Sequence, residues 1–272
     1  MKADKLRTAI IYIIIILLGL ICLLPLLNII AISFSSSAAV EGNMVGLIPV
    51  GFSTAAYEKI LEDSQFWHSF LISVERVVLA LIINFVLIVL MAYPLSKTNA
   101  QFRGRNIYAN LMIFAMLFNG GMIPTYLVVK SYGLLNTVWA LVLPGAVPIF
   151  NVILVMNFFA AVPKELEEAA FIDGANPLQV LTKIFIPISK PVLATVSLFS
   201  IVGSWNDFYS GLIYMSKATY YPLMTYIQSL QINVEDLIKQ GNLSAVVDSA
   251  ALGNTNLNAA KIVVAVIPLL LI

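Results

Sequence analysis

Six apolar runs alternate with polar stretches along the chain, and their lengths predict helices. The first, TAIIYIIIILLGLICLLPLLNIIAISFS over about residues 8–35, contains no charge. An apolar run of about 18 or more residues is long enough to cross hydrocarbon as a helix. Its basic leader (Lys2, Lys5, Arg7) and the SSSAA that follows have the outline of a secretory signal. A signal's apolar core spans only about 7–15 residues, so this run is read as an uncleaved span, kinked or bent near Pro25. Residues 36–68 are polar and mixed, with Gly42, Gly46, Pro49 and Gly51 marking loops. A second run covers about 69–94, and a short basic loop with Lys97, Arg103 and Arg105 follows. The third covers about 107–128, and the fourth, about 134–161, is interrupted by PGAVP. There Pro144 and Pro148 each lack a backbone donor, and such breaks survive in a membrane only where neighbours or a cavity satisfy the freed carbonyls. The fifth run covers about 191–214, and a long polar segment, 215–260, comes next. The sixth starts at Ala259 or Lys261 and reaches Ile272, about a dozen residues. At 1.5 Å per residue that is short of roughly 30 Å of hydrocarbon, so the sequence is expected to end inside its last span.

Composition turns these runs into a class. The chain has 272 residues, 60% hydrophobic and 11% charged, whereas a soluble domain is about a quarter charged. An all-α, six-span membrane protein is expected. A net charge of +1 gives no basis for a nucleic-acid partner. Cys22, the single cysteine, lies inside the first run, which excludes a disulfide framework or a cysteine metal site. His68, the single histidine, has no second ligand nearby to make a metal site and is placed at an interface. Basic residues set orientation. With a cytoplasmic N-terminus, nine of the fifteen lie inside: Lys2, Lys5, Arg7, Lys97, Arg103, Arg105, Lys164, Lys183 and Lys190. Lys59, Lys130, Lys217, Lys239 and Lys261 fall in the longer outer segments, and Arg76 falls within the second span.

That orientation makes KELEEAAFIDGANPLQVLTKIFIPISKP, residues 164–191, cytoplasmic. Pro163 suits a first helical position, where its missing N–H would be unpaired anyway. Glu165, Glu167 and Glu168 fall in the opening turns, favoured by the helix dipole. Ala169, Ala170 and Ile172 give one small, apolar side. Gly174 can take the left-handed conformation that ends a helix. Asn176 then caps a second helix, with Pro177 at its first position and Gln179 completing a capping box. Pro187 and Pro191 are expected to end that helix at the membrane. The prediction is a helix–turn–helix outside the bilayer, with small residues at its turn that let another protein approach.

This segment resembles the signature loop of permease subunits of binding-protein-dependent ABC importers, the type I importer fold. That family's pattern is Glu-Ala-Ala, three residues, Gly, nine residues, then Ile-x-Leu-Pro. Here Glu168-Ala169-Ala170 precedes Gly174 at that spacing, and Ile184-Phe185-Ile186-Pro187 completes it. Ile186 replaces the usual leucine, a volume-conserving change. Asp173 and Ala175 supply the common DGA extension. The stretch GSWNDFYSGLIYM, Gly203 to Met215, is similar to the sugar branch, close to the second permease subunit of maltose-type importers.

The resemblance implies a division into an N-terminal helix and extracellular segment, 1–68, and a permease core, 69–272. Within the core it implies a cytoplasmic coupling loop, 163–190, and an extracellular loop, 215–260, in the position of the loop that reaches into the sugar-binding protein. It implies that the loop seats on an ATPase pair through Glu168, Ala169, Ala170, Asp173, Gly174, Ala175, Ile184 and Pro187. A second permease subunit, an extracellular solute-binding protein and a sugar or oligosaccharide are the implied partners, in a multi-pass cell-membrane complex. No glycine here is followed by lysine, so the GxxxxGK[ST] phosphate loop is absent. The chain itself is expected to hold no cofactor, ATP and magnesium belonging to the ATPase.

Polar residues within spans invite a functional reading. Asp207 lies in the fifth run among Trp205, Asn206 and Tyr209. Trp205 offers a face for stacking on a sugar, and Asn206 and Asp207 offer hydrogen bonds to hydroxyls. Equally, these groups can cap or bridge neighbouring helices, or lie near the outer interface, since Asp207 is about 24 Å along the helix from Pro191. Glu75 and Arg76 are read as an interhelical or interfacial pair, and Asn119, Gly120 and Gly121 as a point of close helix packing. Two other function classes compete. An ion-coupled secondary transporter would bury several ionisable groups at mid-membrane, and Asp207 is nearly alone. A membrane enzyme needs a clustered nucleophile, base or metal set, which one His and one Cys do not supply.

Overall fold

The computed structural model describes residues 2–230 and 255–271. Among these residues the secondary structure is helical, with no strand. In chain order the helices are α1 (Lys2–Ser33), α2 (Ser37–Glu41), α3 (Ala55–Glu62), α4 (Ser64–Leu95), α5 (Arg105–Leu117) and α6 (Met122–Ser131). They continue as α7 (Val138–Val142), α8 (Ile149–Ala160), α9 (Lys164–Ile172), α10 (Pro177–Val180), α11 (Ile186–Ile188), α12 (Lys190–Asn206) and α13 (Tyr209–Tyr214). Residues 223–230 are helical, and α14 (Thr255–Leu270) is the last described element. Two compact units result, residues 1–67 with 226–272, and residues 68–225.

In the first unit, the apolar part of α1, Ile10–Ser33, has 24 residues, about 36 Å of helix. The helix continues through Pro25: one missing donor leaves the rest of the ladder intact. From Ile10 to Leu27 its large apolar side chains are exposed around the helix, the all-round pattern of a helix built for an apolar medium. α14 packs against α1, α2 and α3 through small residues, Ala31, Ala39, Ala56, Ala259 and Ala260, all buried. Asn256 Nδ2 donates to the Ser35 carbonyl at 3.3 Å. Asp63 ends α3 and accepts the Phe66 N–H at 3.0 Å, capping the start of α4. Its other oxygen accepts from Lys261 Nζ at 2.7 Å and from the Tyr226 hydroxyl at 2.9 Å. Burial alone would raise the Asp63 pKa; the Lys261 ammonium, the Phe66 N–H and the Tyr226 hydroxyl outweigh it and hold the carboxyl below its ordinary value.

In the second unit, three apolar runs are broken. The third, expected as one span, is two helices, α5 and α6, at 112°. The reading of Asn119, Gly120 and Gly121 as a close-packing point is corrected. They form the turn, with Gly121 at φ +86 and Asn119 Oδ1 accepting the Gly121 N–H at 2.9 Å. The fourth run bends by 47° at PGAVP, where a 3₁₀ turn, Leu143–Gly145, separates α7 from α8. The fifth run ends α12 at Asn206 and resumes as α13. One apolar core joins α4, α8, the 180–185 segment and α12 through Ala92, Leu95, Val155, Phe159, Phe185 and Val196. A smaller one gathers Val129, Ala140, Leu141, Tyr214 and Met215.

Candidate functional site

The hairpin of residues 164–188 folds by local rules. α9 begins after Pro163, which stands at the cap, one position before the first helical residue, with φ −55. Glu165 and Glu167 occupy the first turn. At the far end Gly174 has φ +82, a conformation costing an L residue about 1–2 kcal/mol. The N–H groups of Asp173, Gly174 and Ala175 reach back to the Ala169, Phe171 and Ala170 carbonyls at 3.0, 3.1 and 2.9 Å. Asn176 and Gln179 then exchange bonds of 2.9 Å in both directions, the reciprocal cap that starts α10. α10 passes into a π turn, Leu181–Phe185, and on into α11. Pro187 therefore lies inside α11, and the chain turns at Ser189 instead, α12 leaving at 84°. Pro187 lacks the N–H that the Lys183 carbonyl would take, and the wider π turn sits at that position.

Two faces result. Glu168, Ala169, Asp173, Gly174 and Pro187 are exposed, Ala170, Ala175 and Ile184 half-buried. Ile172 is 86% exposed and Leu178 63%, so the turn presents large apolar side chains beside acids. A groove of about 490 Å³ lies between the helices, lined by Ala170, Asp173, Gly174, Gln179 and Lys183 among others. On the inward face Val180, Leu181 and Phe185 enter the core.

Glu167 points inward with them, 8% exposed, unlike Glu165 and Glu168. Its two carboxylate oxygens lie 2.7 and 2.8 Å from Lys97 Nζ. The Tyr93 hydroxyl donates to it at 3.4 Å. Lys97 Nζ sits 4.1 Å from the Tyr93 ring centroid and 4.2 Å from that of Phe185. Burial lowers the Lys97 pKa, and Glu167 opposes that shift without cancelling it. Sequence reasoning missed this pair. The available signal was that Glu167 lies three residues before Ala170, on the inward stripe of α9.

The second polar locus lies among α4 and the two broken helices. Arg76, 4% exposed, pairs with the Asp207 carboxylate. It also donates to the Asp207 carbonyl at 2.8 Å and to the Leu141 carbonyl at 3.4 Å. The other Asp207 oxygen accepts the Ser210 N–H at 3.1 Å and so starts α13. One turn pair further along α4, the Asn84 amide, oriented by its hydrogen-bond pattern, donates to the Ala146 and Ala80 carbonyls at 3.0 and 3.2 Å. It accepts from Ser200 Oγ at 3.3 Å. Carbonyls freed at the PGAVP break and at the α12–α13 break thus find donors on one uninterrupted helix, as breaks within apolar spans require. A cavity of about 200 Å³ adjoins them, lined by Arg76, Asn84, Gly145, Ser204, Asp207 and Ser210 among others.

This geometry sorts the four candidate substrate-path residues. Trp205 does not offer a stacking face: it is 5% exposed, its ring edge-on to Phe70 at 5.7 Å and 81°. Asp207 takes the helix-bridging alternative. Asn206 and Tyr209 are exposed, and the Tyr209 hydroxyl meets Met122 Sδ at 2.9 Å. Arg76 finds its partner across the helices in Asp207, while Glu75 is exposed beside a hollow of about 290 Å³ that His68, Asn136 and Tyr220 also line. Of the expected loop of 215–260, residues 231–254 lie outside the described residues; 223–230 are helical, and 255–260 belong to α14.

Apolar helices broken at proline and glycine, stitched by buried polar groups, with a solvent-facing hairpin between two of them, describe a multi-span membrane protein. The chain belongs to the family of binding-protein-dependent transport system inner membrane components, whose profile matches residues 70–272. It is 40% identical over 252 residues to the protein LplC of Bacillus subtilis (strain 168), covering 93% of this chain and 84% of that one. It is 39% identical over 269 residues to the polygalacturonan/rhamnogalacturonan transport system permease protein YtcP of the same organism, covering 99% and 93%. A crystal structure of a bacterial ABC transporter involved in the import of the acidic polysaccharide alginate superposes with a TM-score of 0.86. That match has 32% identity and covers 100% of this chain and 95% of its counterpart. The fold is that of a type I ABC importer permease.

Proposed function

We propose that this chain is one membrane-spanning half of an ATP-driven importer of sugars or oligosaccharides in the cell membrane, with its N-terminus cytoplasmic. Its hairpin is the handle by which a separate ATPase pair, holding ATP and magnesium, moves it. A second permease subunit completes the pore, and an extracellular binding protein delivers the substrate. The reading rests above all on one observation, the exposed turn of the hairpin: Ile172 stands 86% exposed beside Asp173 and Gly174. An apolar side chain that bare on a polar loop fits a surface that another protein covers. Saccharide substrates are supported by relatives named for polygalacturonan, rhamnogalacturonan and multiple-sugar transport. Asn206 and Tyr209, exposed beside Asp207, are the groups of this chain offered to substrate.

The test is uptake by the reconstituted complex of labelled neutral and uronate-containing oligosaccharides. With Glu168→Lys or Ile172→Glu, uptake falls at least about tenfold, the equivalent of about 1.4 kcal/mol, and the ATPase no longer co-purifies. Uptake that survives ATP depletion while ion gradients persist would overturn the reading in favour of an ion-coupled transporter.

A further inference from the structure

We propose that Lys97 and Glu167 are positioning residues, forming the joint through which displacement of the hairpin reaches α4. This rests on the reading of the hairpin as the ATPase handle and adds to it the route by which force leaves the loop. A carboxylate and an ammonium withdrawn from water are costly unless each is fully paired. Here both side chains are about nine-tenths buried, at 12% and 11% exposure, and the carboxylate engages the ammonium with both oxygens. The ammonium lies against both the Tyr93 and Phe185 rings, themselves edge-to-face, and the Tyr93 hydroxyl closes the set. Four elements are thereby tied at one point: Glu167 belongs to α9, Tyr93 to α4, Lys97 to the loop leaving it, and Phe185 to the π turn. The neighbouring contacts of α9 with the core are through Ala170, a small side chain able to slide.

Separating Lys97 from Glu167 would strand two charges in an apolar surrounding, so the pair resists shear where alanine contacts do not. α4 is also the helix whose Arg76 and Asn84 hold the carbonyls of both helix breaks. Both polar clusters therefore sit on α4, the Lys97–Glu167 joint at its end and the Arg76 and Asn84 donors further back along it. Whether α4 transmits the load is what the experiment measures.

The full complex, with ATPases, second permease and binding protein, is reconstituted carrying Glu167→Gln, Lys97→Met, the two together, or Glu167→Asp. Co-purified ATPase, ATP hydrolysed and substrate transported are each measured. Glu167→Gln and Lys97→Met are expected to retain the ATPase within about twofold while substrate moved per ATP falls about tenfold, in the range of coupling energies carried by such networks. The double variant is expected to lose no more than either single one, since the two act as a unit. Glu167→Asp, which keeps the charge and shortens the arm, loses about threefold and remains the readout if the other variants fail to assemble. Transport per ATP unchanged in the assembled variants, or additive losses in the double one, overturns the proposal. Loss of the ATPase from the Glu167 variants does so too, because it would make Glu167 part of the docking surface. If instead Glu168→Lys and Ile172→Glu retain the ATPase, the docking reading itself fails, whatever the joint does.

Discussion

The hairpin of residues 164–188 and the polar stitch on α4 solve the same problem, how to end a helix without stranding its backbone, by opposite means. At the hairpin's turn every partner of the helix ends is close in sequence: the Asn176–Gln179 bonds span three residues, and the Gly174 turn closes on Phe171. In the stitch, Arg76 reaches a partner 131 residues away. Water completes whatever the exposed hairpin leaves unsatisfied. Within an apolar span no such help exists, so each freed carbonyl needs a donor from another helix. A locally encoded hairpin can spend its surface residues on a partner. The stitch cannot, because its polar side chains already hold the fold.

This contrast predicts unequal tolerance. Arg76→Leu leaves the Asp207 carboxylate and two carbonyls without their donor, and its cost is on the order of 3–5 kcal/mol. Thermal unfolding of the detergent-solubilised complex should show it as the largest loss among the variants considered. Arg76→Lys recovers only part, since an ammonium lacks the planar fork that serves Asp207 and Leu141 at once. An Arg76→Leu complex that unfolds at the wild-type temperature would remove the distinction between the two regions.

Asn84→Leu is the intermediate case. It keeps volume and loses the bonds to Ala146, Ala80 and Ser200. Leaving the Ala146 carbonyl without a donor costs about 1–3 kcal/mol. The expected result is a smaller fall in the same unfolding midpoint; a loss equal to that of Arg76→Leu would place the centre of the stitch at PGAVP rather than at Asp207.

The same contrast decides what could be read in the sequence. Gly174, the Asn176–Gln179 box and the break at Pro144 and Pro148 were legible, because each follows from backbone chemistry within a few residues. The apolar runs were legible from length and charge. What failed depended on distant partners. Gly120 and Gly121 fit either a close-packing face or a turn, and only the 112° angle between α5 and α6 distinguishes them. Trp205 reads as available because Phe70 lies more than a hundred positions away in sequence, and the choice between the two readings of Asp207 rests on Arg76, equally distant. Glu167 was one acid among three until the fold brought Lys97 to it. Pro187 is the exception, a local one: it reads as a stop, but the preceding turn widens into a π turn and α11 carries the chain past it.

The smallest effect isolates the hairpin's encoding. A Cβ at Gly174 meets nothing within 4 Å, yet the residue stands at φ +82. Gly174→Ala therefore carries backbone strain of about 1–2 kcal/mol and no clash. Because that strain falls on a locally closed, solvent-exposed turn, it is expected to relax by fraying the end of α9, leaving the core of α4, α8 and α12 untouched. Hydrogen exchange should show faster exchange at the Asp173, Gly174 and Ala175 amides, with the unfolding midpoint of the complex nearly unchanged. Gly174→Asn, a residue that enters the left-handed region more readily, should restore most of the protection. If Gly174→Ala instead lowered the midpoint as much as Asn84→Leu does, the hairpin would be bound into the core as tightly as the stitch, and local encoding would not explain its shape.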